Sequence, residues 1–423
     1  MALIALVVVL LLAVAWLASS LLGFGGASSS SQPVSSAPAQ GGGQSAPASS
    51  SAEAGQTAYQ PAALPEEMRA MYISYLEWMA YDISTETAMR SVAGQMFDNC
   101  SAMGLDTVIV MVRPFGDALY SSSLYPWSHL ITGTQGQNPG YDPLAVLVEE
   151  AHARGLRLEA WLNPYRINLE AVGPQTLAAG NPAVLHPEWV REAAGGQWYD
   201  PGLPEVRQLV ADGVAEIVQN YDVDGIHFDD YFYPVTDASF DAETYAAYGG
   251  GQPLADWRRE NVNTLVQQVY SAIKAAKPTL PFGISPQGNN ENNYNSQYSD
   301  VKLWLQQAGY VDYVMPQLYW GFNWSKNGST RYGFANIAAE WAAYPKTEAV
   351  KLYAALGAYR IGGGDGGDND QSEWSSGENL AKQVAHLRQV QGFSGFCFFR
   401  YEFLYNGSEL AGQEQTALAG LLQ

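Results

Sequence analysis

Two adjacent carboxylates, Asp229 and Asp230, close an apolar run at residues 225–228. An unpartnered charge at the end of such a run is costly, so the pair needs a structural or functional partner. Because side chains alternate along a strand, His227 and Asp229 face one side of the run and Asp230 faces the other. If the large apolar side chains of the run pack against helices, Asp229 points away from them and can exchange protons with a substrate. We therefore predict that Asp229 is catalytic and that Asp230, a further candidate, serves better as a loop anchor.

Three more carboxylates follow other apolar runs and compete for a second catalytic role: Asp117, Glu77 and Glu402. Each can instead cap a helix or pair with an arginine such as Arg113. A pair of carboxyl groups hydrolyses a glycosidic bond when one acts as nucleophile or base and the other as general acid. We assign Asp229 to the first role and rank Asp117 first for the second. The predicted strands before these two residues are two apart, a spacing compatible with a retaining or an inverting reaction.

Aromatic and polar side chains gather around the same run ends. The 12 Trp and 26 Tyr residues exceed what a core of this size needs, and some of them, such as Trp127 and Trp324, fall in loops. Flat rings stack on the C–H faces of sugars, while amides, carboxylates and arginines bind sugar hydroxyls. Core packing explains some of these rings, but the combination favours a carbohydrate ligand. The predicted substrate-binding residues are Arg113, Asn163, Tyr165, Arg166, His227, Tyr231, Gln317, Tyr319, Trp320 and Tyr401.

Metal ions are the rival ligands of these carboxylates. The five histidines are scattered, and only His227 lies near a run end, so we predict no zinc site. The segment 362–371 carries Asp365, Asp368 and Asp370 but lacks the full spacing of a calcium loop, which favours a solvated loop. We predict no metal and no cofactor.

The only two cysteines of the chain are Cys100 and Cys397. Two are too few for a disulfide scaffold or a thiolate metal site. Both lie in apolar surroundings, so we predict two buried free thiols rather than a bridge.

Short β-branched or aromatic runs alternate with segments of helical period, as in repeated βα units around a parallel sheet. Eight runs are the number that closes a barrel. A doubly wound open sheet is the alternative, but no G-x-G-x-x-G follows the first run. We predict an α/β fold, a (β/α)8 TIM-type barrel with long loops at the C-terminal strand ends. The predicted strands are 69–75, 107–112, 157–162, 225–229, 281–285, 313–317, 351–356 and 395–399.

Eight helical segments follow these strands. The turns from helix to strand are short, whereas the loops after the strands are long and aromatic, which places the functional residues at one end of the barrel. The predicted helices are 87–103, 143–154, 204–220, 255–277, 300–308, 334–344, 378–390 and 410–422.

The chain has 423 residues, and its 42 acidic residues outnumber the 21 Lys and Arg, giving a net charge of -21. An acidic surface of this kind argues against nucleic-acid binding. Residues 2–18 are uninterruptedly apolar, so we predict that 1–24 is a signal peptide or a membrane anchor. Residues 25–63, rich in Ser, Gly, Ala, Pro and Gln, are predicted to be a disordered linker before a barrel domain at 64–423. The expected location is extracytoplasmic, either secreted or anchored to the outer face of the cell membrane.

Four motifs in a consistent order carry a resemblance to a known family. They read RPFGDALY at 113–120, PGYDPL at 139–144, WLNPYR at 161–166 and DGIHFDDYFYP at 224–234. The chain resembles the bacterial glycoside-hydrolase-like family ten over about 66–402, nearly the whole predicted domain. The resemblance implies a barrel-shaped hydrolase of the bacterial envelope, some members of which act on peptidoglycan glycan strands. It also implies that Asp229, Asp230 and Asp117 belong to the acidic site.

Two functional hypotheses follow. The first is a glycoside hydrolase that cleaves a bacterial envelope or extracellular polysaccharide with a carboxylate pair. The second is a surface glycan-binding protein that keeps the aromatic residues but does no catalysis. The first predicts release of new reducing ends from glycan strands, and the second predicts binding alone.

Overall fold

The computed structural model describes residues 63–174, 176–368 and 371–422. The predicted signal or anchor segment and all but the last residue of the predicted linker lie outside the described residues. Within the described residues, no helix has both the length and the apolar character needed to cross a membrane.

Eight parallel strands close into a barrel in the order β1-β11-β10-β9-β8-β7-β3-β2. The predicted (β/α)8 barrel is therefore confirmed, and each predicted strand overlaps an observed one. The strands of the described residues are β1 (Met68–Ile73), β2 (Thr107–Arg113), β3 (Arg157–Leu162), β4 (Arg166–Leu169), β5 (Val190–Ala193), β6 (Gly196–Tyr199), β7 (Gly225–Phe228), β8 (Phe282–Ile284), β9 (Tyr313–Val314), β10 (Lys351–Gly357) and β11 (Phe393–Phe399).

Helices cover the outside of the barrel, and the one over Pro204–Asn220 has the predicted bounds. Proline suits its first turn, because the amide missing from proline is not needed there. The α-helices of the described residues are α1 (Tyr75–Ala80), α2 (Glu86–Ala102), α3 (His129–Thr132), α4 (Pro143–His152), α5 (Pro182–Leu185), α6 (Pro204–Asn220), α7 (Ala242–Tyr248), α8 (Leu254–Ala276), α9 (Asn290–Asn295), α10 (Val301–Gln306), α11 (Phe334–Ala342), α12 (Gln371–Trp374), α13 (Asn379–Leu387), α14 (Tyr401–Tyr405) and α15 (Glu409–Leu422).

The core has two layers, one between the strands and the helices and one inside the barrel. Ile226 and Phe228 lie in the outer layer. His227 points into the barrel, where its ring contacts the interior residues Tyr72 and Tyr313. This is the alternation predicted from the sequence, and it directs Asp229, two residues further on, toward the barrel mouth.

The loop after β3 contains structure that the sequence analysis missed. Strands β4, β6 and β5 form a three-stranded antiparallel sheet in that order. Each strand has only four residues, too short for a period-2 pattern to stand out. The hairpin between β5 and β6 turns at Ala194 and Gly195, both at positive φ. The observed β9 is also shorter than predicted, because Pro316 has no amide hydrogen for the ladder.

Cys100 and Cys397 are both buried and free, as predicted. Cys100 lies on α2 and Cys397 lies inside the barrel on β11. Burial raises the pKa of each thiol, so both stay protonated at neutral pH.

Candidate active site

Asp229 follows β7 directly, at the C-terminal end of the barrel. The ladder between β3 and β7 pairs Leu162 with Phe228, so the residues after these two strands lie side by side. Gly225 starts β7 where a side chain would not fit, since a Cβ there would lie 2.7 Å from Cδ of Glu159. The close approach of these two strands brings the side chains of β3 and its loop to Asp229.

Three donors hold the Asp229 carboxyl, which is only 4% exposed. Trp161 Nε1 lies 3.2 Å from Oδ2, Asn163 Nδ2 lies 3.3 Å from Oδ1, and the Tyr231 amide lies 3.2 Å from Oδ1. Burial and the neighbouring charge of Asp230 raise the pKa of Asp229 to about 7, against a smaller opposing effect of Arg166. Asp229 thus carries a proton for a large part of the time near neutral pH.

Asp230 is also buried but points to the other side of the loop. It accepts hydrogen bonds at 3.0 Å from Nε2 of Gln317 and at 3.0 Å from Nε2 of Gln287. Burial raises the pKa of Asp230, while the two amide donors favour its ionised form. The neighbouring charge of Asp230 disfavours ionisation of Asp229, and the two amide donors to Asp230 favour placing the proton on Asp229.

Arg166 supplies the positive charge beside this pair. Its Nε donates to the Pro114 carbonyl at 2.9 Å, and its guanidinium lies 5.1–5.4 Å from the ring centroids of Tyr75, Phe115 and Tyr231. The backbone amide of Arg166 donates to Oδ1 of Asn163 at 3.1 Å. Asn163 therefore connects Asp229 and the loop that carries Arg166.

Aromatic rings surround the barrel mouth. Tyr319, half-buried, stacks on Phe399 with centroids 5.6 Å apart and planes 28° apart. Trp320, also half-buried, stacks on Tyr332 at 4.8 Å and 19°. Tyr231 is 38% exposed. Rings that are already held in place and partly exposed are suited to stacking on sugars without further loss of side-chain freedom.

The other predicted catalytic carboxylates have partners of their own. Asp117 is fully buried and accepts hydrogen bonds from Nδ1 of His129 and Nε2 of Gln135, both at 2.9 Å. These contacts hold the loop after β2 in place, which explains why an aspartate is buried there.

Glu77 and Glu402 both contact Arg400. Glu77 is buried, closes the capping box of α1 with Ser74, and binds Nη1 of Arg400. Glu402 is partly exposed and lies 2.8 Å from Nη2 of the same arginine. The structure joins these two carboxylates to one another through Arg400, and their contacts are with α1 and α14 rather than with Asp229.

Arg113, Tyr165 and Tyr401 were predicted to bind substrate, but the side chains of all three are buried in the structure. Arg113 is fully buried with its guanidinium 4.8 Å from the centroid of Tyr125. The ladder between β2 and β3 shifts register between Met111 and Arg113, so strict alternation fails at this position. Tyr165 and Tyr401 lie in the outer core layer, where Tyr401 packs on Tyr405.

His227 does not reach the mouth, because it lies two residues before Asp229 and points into the barrel interior. It is fully buried, with Nε2 2.9 Å from Tyr72 Oη and Nδ1 2.7 Å from Tyr313 Oη. Burial lowers its pKa to about 3, so the ring is neutral. Of the predicted substrate-binding residues, the structure gathers Asn163, Arg166, Tyr231, Gln317, Tyr319 and Trp320 around the two aspartates or the rings of the mouth.

Trp161 and Gln287 are site residues that the predicted set lacked. Trp161 was noted as part of a strand and of the motif at 161–166 but not as a site residue, yet its indole is a direct donor to Asp229. Gln287 follows a strand end and completes the amide clamp on Asp230. A tryptophan at an inward strand position near the strand end was the available signal for the first of these.

Among the described residues, no group of three or more His, Cys, Asp or Glu side chains could hold a metal ion. In the loop considered for calcium, Asp365 accepts hydrogen bonds from the Gly321 amide at 2.7 Å and from Trp374 Nε1 at 3.1 Å. Asp365 therefore anchors the loop after β9, while Asp370 of the same segment lies outside the described residues.

A closed (β/α)8 barrel with buried aspartates and partly exposed rings at its C-terminal mouth has the parts that a carbohydrate-active hydrolase needs. The chain belongs to the family described as glycosyl hydrolase-like 10, whose model matches residues 67–376. It is accordingly a glycoside hydrolase, and the predicted family is confirmed.

Two relatives are both called glycosyl hydrolases. YngK of Bacillus subtilis (strain 168) is 36% identical over 356 residues, which cover 79% of this chain and 68% of YngK. DigH of Escherichia coli (strain K12) is 36% identical over 365 residues, which cover 78% of this chain and 82% of DigH.

Solved structures share the fold at much lower identity. The glycoside hydrolase domain of PgaB (BpsB) from Bordetella bronchiseptica matches with a TM-score of 0.56 at 14% identity, covering 84% of this chain and 99% of that domain. The catalytic domain of β-amylase from Paenibacillus polymyxa matches with a TM-score of 0.53 at 11% identity, covering 86% and 100%. At these identities the similarity shows the barrel alone.

Proposed function

We propose that this enzyme hydrolyses glycosidic bonds in a polysaccharide of the bacterial envelope, such as peptidoglycan glycan strands, outside the cytoplasmic membrane. The apolar segment at 2–18 and the Ser/Gly/Ala/Pro-rich stretch after it favour export or anchoring. The family resemblance carried by the motifs at 113–120 and 224–234 implies an envelope glycan. The single observation that carries the catalytic proposal is Asp229, a buried carboxyl at the barrel mouth whose pKa is raised to about 7.

Asp229 is the general acid in this proposal. A carboxyl group with a pKa near the working pH both holds a proton and gives it up readily to the leaving oxygen. The sequence analysis had assigned Asp229 to the nucleophile or base role, with Asp117 as the acid. The raised pKa of Asp229 favours the opposite role for that residue, and the contacts of Asp117 favour a loop-fixing role for Asp117.

Asp230 supplies the negative charge of the pair. The side-chain amides of Gln317 and Gln287 donate to it and favour its ionised form beside Asp229. Its charge also favours the positive sugar ring that forms as the glycosidic bond breaks. The carboxylate pair of this proposal is thus Asp229 with Asp230.

The partly exposed rings of Tyr231, Tyr319 and Trp320 provide the stacking surface for the sugars on either side of the cleaved bond. The neighbouring amides and Arg166 provide polar contacts. Several stacking rings around one mouth suit a chain of sugars better than a single sugar.

The test compares Asp229→Asn with Asp212→Asn, a matched change on the exposed outer face of α6. Both variants and the wild type are incubated with purified glycan strands, and new reducing ends are counted. We expect wild-type rates for Asp212→Asn and a loss of about 10²–10⁴-fold for Asp229→Asn. Full activity of Asp229→Asn would refute the catalytic assignment. Binding of strands by the wild type without any release of reducing ends would favour the non-catalytic alternative.

A further inference from the structure

Below Asp229, four polar side chains from four different strands form a continuous hydrogen-bonded column inside the barrel. Tyr313 bonds Oε2 of Glu159, Tyr313 Oη lies 2.7 Å from Nδ1 of His227, and Nε2 of His227 lies 2.9 Å from Tyr72 Oη. All four side chains are 0–2% exposed. Polar groups at this depth are costly unless their hydrogen bonds are made, and TIM-type barrels fill this space mainly with branched apolar side chains.

The bonds of the column have a defined direction. The Tyr313 hydroxyl donates to Oε2 of Glu159, an oxygen that accepts when the carboxyl is ionised and also when a proton is held on Oε1. The Tyr313 oxygen then accepts from Nδ1–H of His227, because its own hydrogen is used. His227 is neutral, so its other nitrogen, Nε2, is an acceptor and takes the hydrogen of Tyr72. The carboxylate at the bottom of the column thus selects one tautomer of His227.

The upper end of the column meets the site. The Tyr72 ring packs against the edge of Trp161 with centroids 5.1 Å apart and planes at 61°. The indole of Trp161 donates directly to Asp229. Tyr72 and Trp161 are held between the column below and the carboxyl above, so a change in the column reaches Asp229 through one packed ring and one hydrogen bond.

We propose that Glu159, Tyr313, His227 and Tyr72 are positioning residues, which fix Trp161 and through it the orientation of Asp229 for proton donation. The inference rests on the proposed role of Asp229, and it adds Glu159, Tyr72 and Tyr313, which the sequence analysis did not select. None of the four contacts substrate directly, since the column lies beneath the carboxyl that does.

Charged and titratable groups surround the lower end of the column. Arg157 Nη2 lies 3.9 Å from Oε1 of Glu159. Burial raises the pKa of Glu159 to about 7, against the opposing effects of Arg157 and Tyr313. The groups that interact with Glu159 from the packed strands and loops are Arg157, Tyr313, Asp224, Asp312, Tyr353, Cys397 and Tyr72.

Two tyrosines of the same barrel layer provide a matched pair of variants. Tyr313→Phe removes the hydroxyl that links His227 to Glu159. The ring of Tyr353 lies 5.1 Å from that of Tyr313 between centroids. Tyr353→Phe removes a hydroxyl that has no hydrogen-bond partner among the described residues. The chain has five histidines, so ¹⁵N-histidine NMR can resolve the tautomer of His227 in each variant.

For the wild type and Tyr353→Phe we expect the Nδ1–H tautomer and equal kcat. For Tyr313→Phe we expect the Nε2–H form to appear and kcat on glycan strands to fall about ten- to a hundredfold at unchanged KM, since the donor is misplaced rather than removed. Glu159→Gln keeps an acceptor oxygen and should retain the tautomer, whereas Glu159→Leu should lose it.

A Tyr313→Phe enzyme with the wild-type tautomer and the kcat of Tyr353→Phe would overturn the inference. The tautomer is read without substrate, so this outcome is independent of the proposed function. Full activity of Asp229→Asn would refute the proposed function. An inactive Asp229→Asn, together with a Tyr313→Phe enzyme of unchanged tautomer and kcat, would refute only the positioning role of the column.

Discussion

Asp117 and Asp229 are both buried aspartates that follow a barrel strand, and both lie in segments that resemble motifs of one family. Asp117 accepts hydrogen bonds from a histidine and an amide of its own loop region. Asp229 has a second carboxylate next to it in the chain and partly exposed rings around it. The donors around Asp117 fix its loop, whereas burial and the charge of Asp230 raise the pKa of Asp229. The partners of an aspartate, more than its position in a motif, therefore decide what chemistry it can do.

The largest expected difference between the two residues is in turnover. Asp229→Asn removes the proton donor, and we expect kcat on glycan strands to fall about 10²–10⁴-fold. Asp117→Asn should lower the rate per folded molecule by less than about tenfold. Rates are normalised to the folded fraction measured by circular dichroism. A greater loss for Asp117→Asn than for Asp229→Asn would reverse the comparison.

The two substitutions should change stability in opposite directions. The pKa of Asp229 is raised from its usual 3.8 to about 7, so the folded protein binds a proton more tightly than the unfolded chain. Its ionisation therefore costs stability progressively between about pH 4 and pH 7. At pH 8, Asp229→Asn should raise the free energy of unfolding by on the order of 1–4 kcal/mol.

Asp117→Asn should instead lower the free energy of unfolding by about 1–3 kcal/mol, because it weakens two buried hydrogen bonds. Urea denaturation of both variants at pH 8 checks these signs. Destabilisation by Asp229→Asn at pH 8, of the same size as that of Asp117→Asn, would show that both aspartates serve the fold.

A smaller effect is expected from Asp230→Asn. The charge of Asp230 helps to raise the pKa of Asp229, so its removal should lower that pKa. The alkaline limb of kcat/KM against pH should therefore move to lower pH. An unchanged limb in Asp230→Asn, with Asp212→Asn as the control, would show that Asp230 does not influence the proton donor.

The smallest predicted effect concerns substrate stacking. Trp320→Ala removes one partly exposed ring from the mouth and should raise KM for glycan strands about two- to tenfold at nearly constant kcat. Trp189→Ala, on the short helical turn before β5, is the control for loss of a partly buried tryptophan that stacks on His186. A fall in kcat without a change in KM would place Trp320 outside the binding surface.

Local sequence patterns were enough to predict much of the architecture. The eight strands and the inward direction of His227 and Asp229 depend on short apolar runs and on alternation, which are properties of neighbouring residues. The positions of the main helices also depend on local patterns. The barrel mouth was predictable because parallel strands place all their C-terminal ends together.

The remaining features depend on contacts between distant residues. The register shift at Arg113 depends on the pairing of β2 with β3. Arg113, which was predicted to bind substrate, is buried at this shift. Glu159 and Tyr313 are 154 residues apart in the sequence and meet only when the barrel closes. The proton on Asp229 depends on burial and on Asp230 together, and neither quantity can be read from residue spacing.

The most direct test of the central claim, that Asp229 is the proton donor, uses two substrates with different leaving groups. Glycan strands need protonation of the leaving oxygen, whereas an aryl glycoside of the same sugar with a dinitrophenolate leaving group does not. For Asp229→Asn we predict a loss of about 10²–10⁴-fold on strands but of less than about tenfold on the aryl glycoside. An equal loss on both substrates would contradict the account, because it would assign Asp229 the nucleophile role.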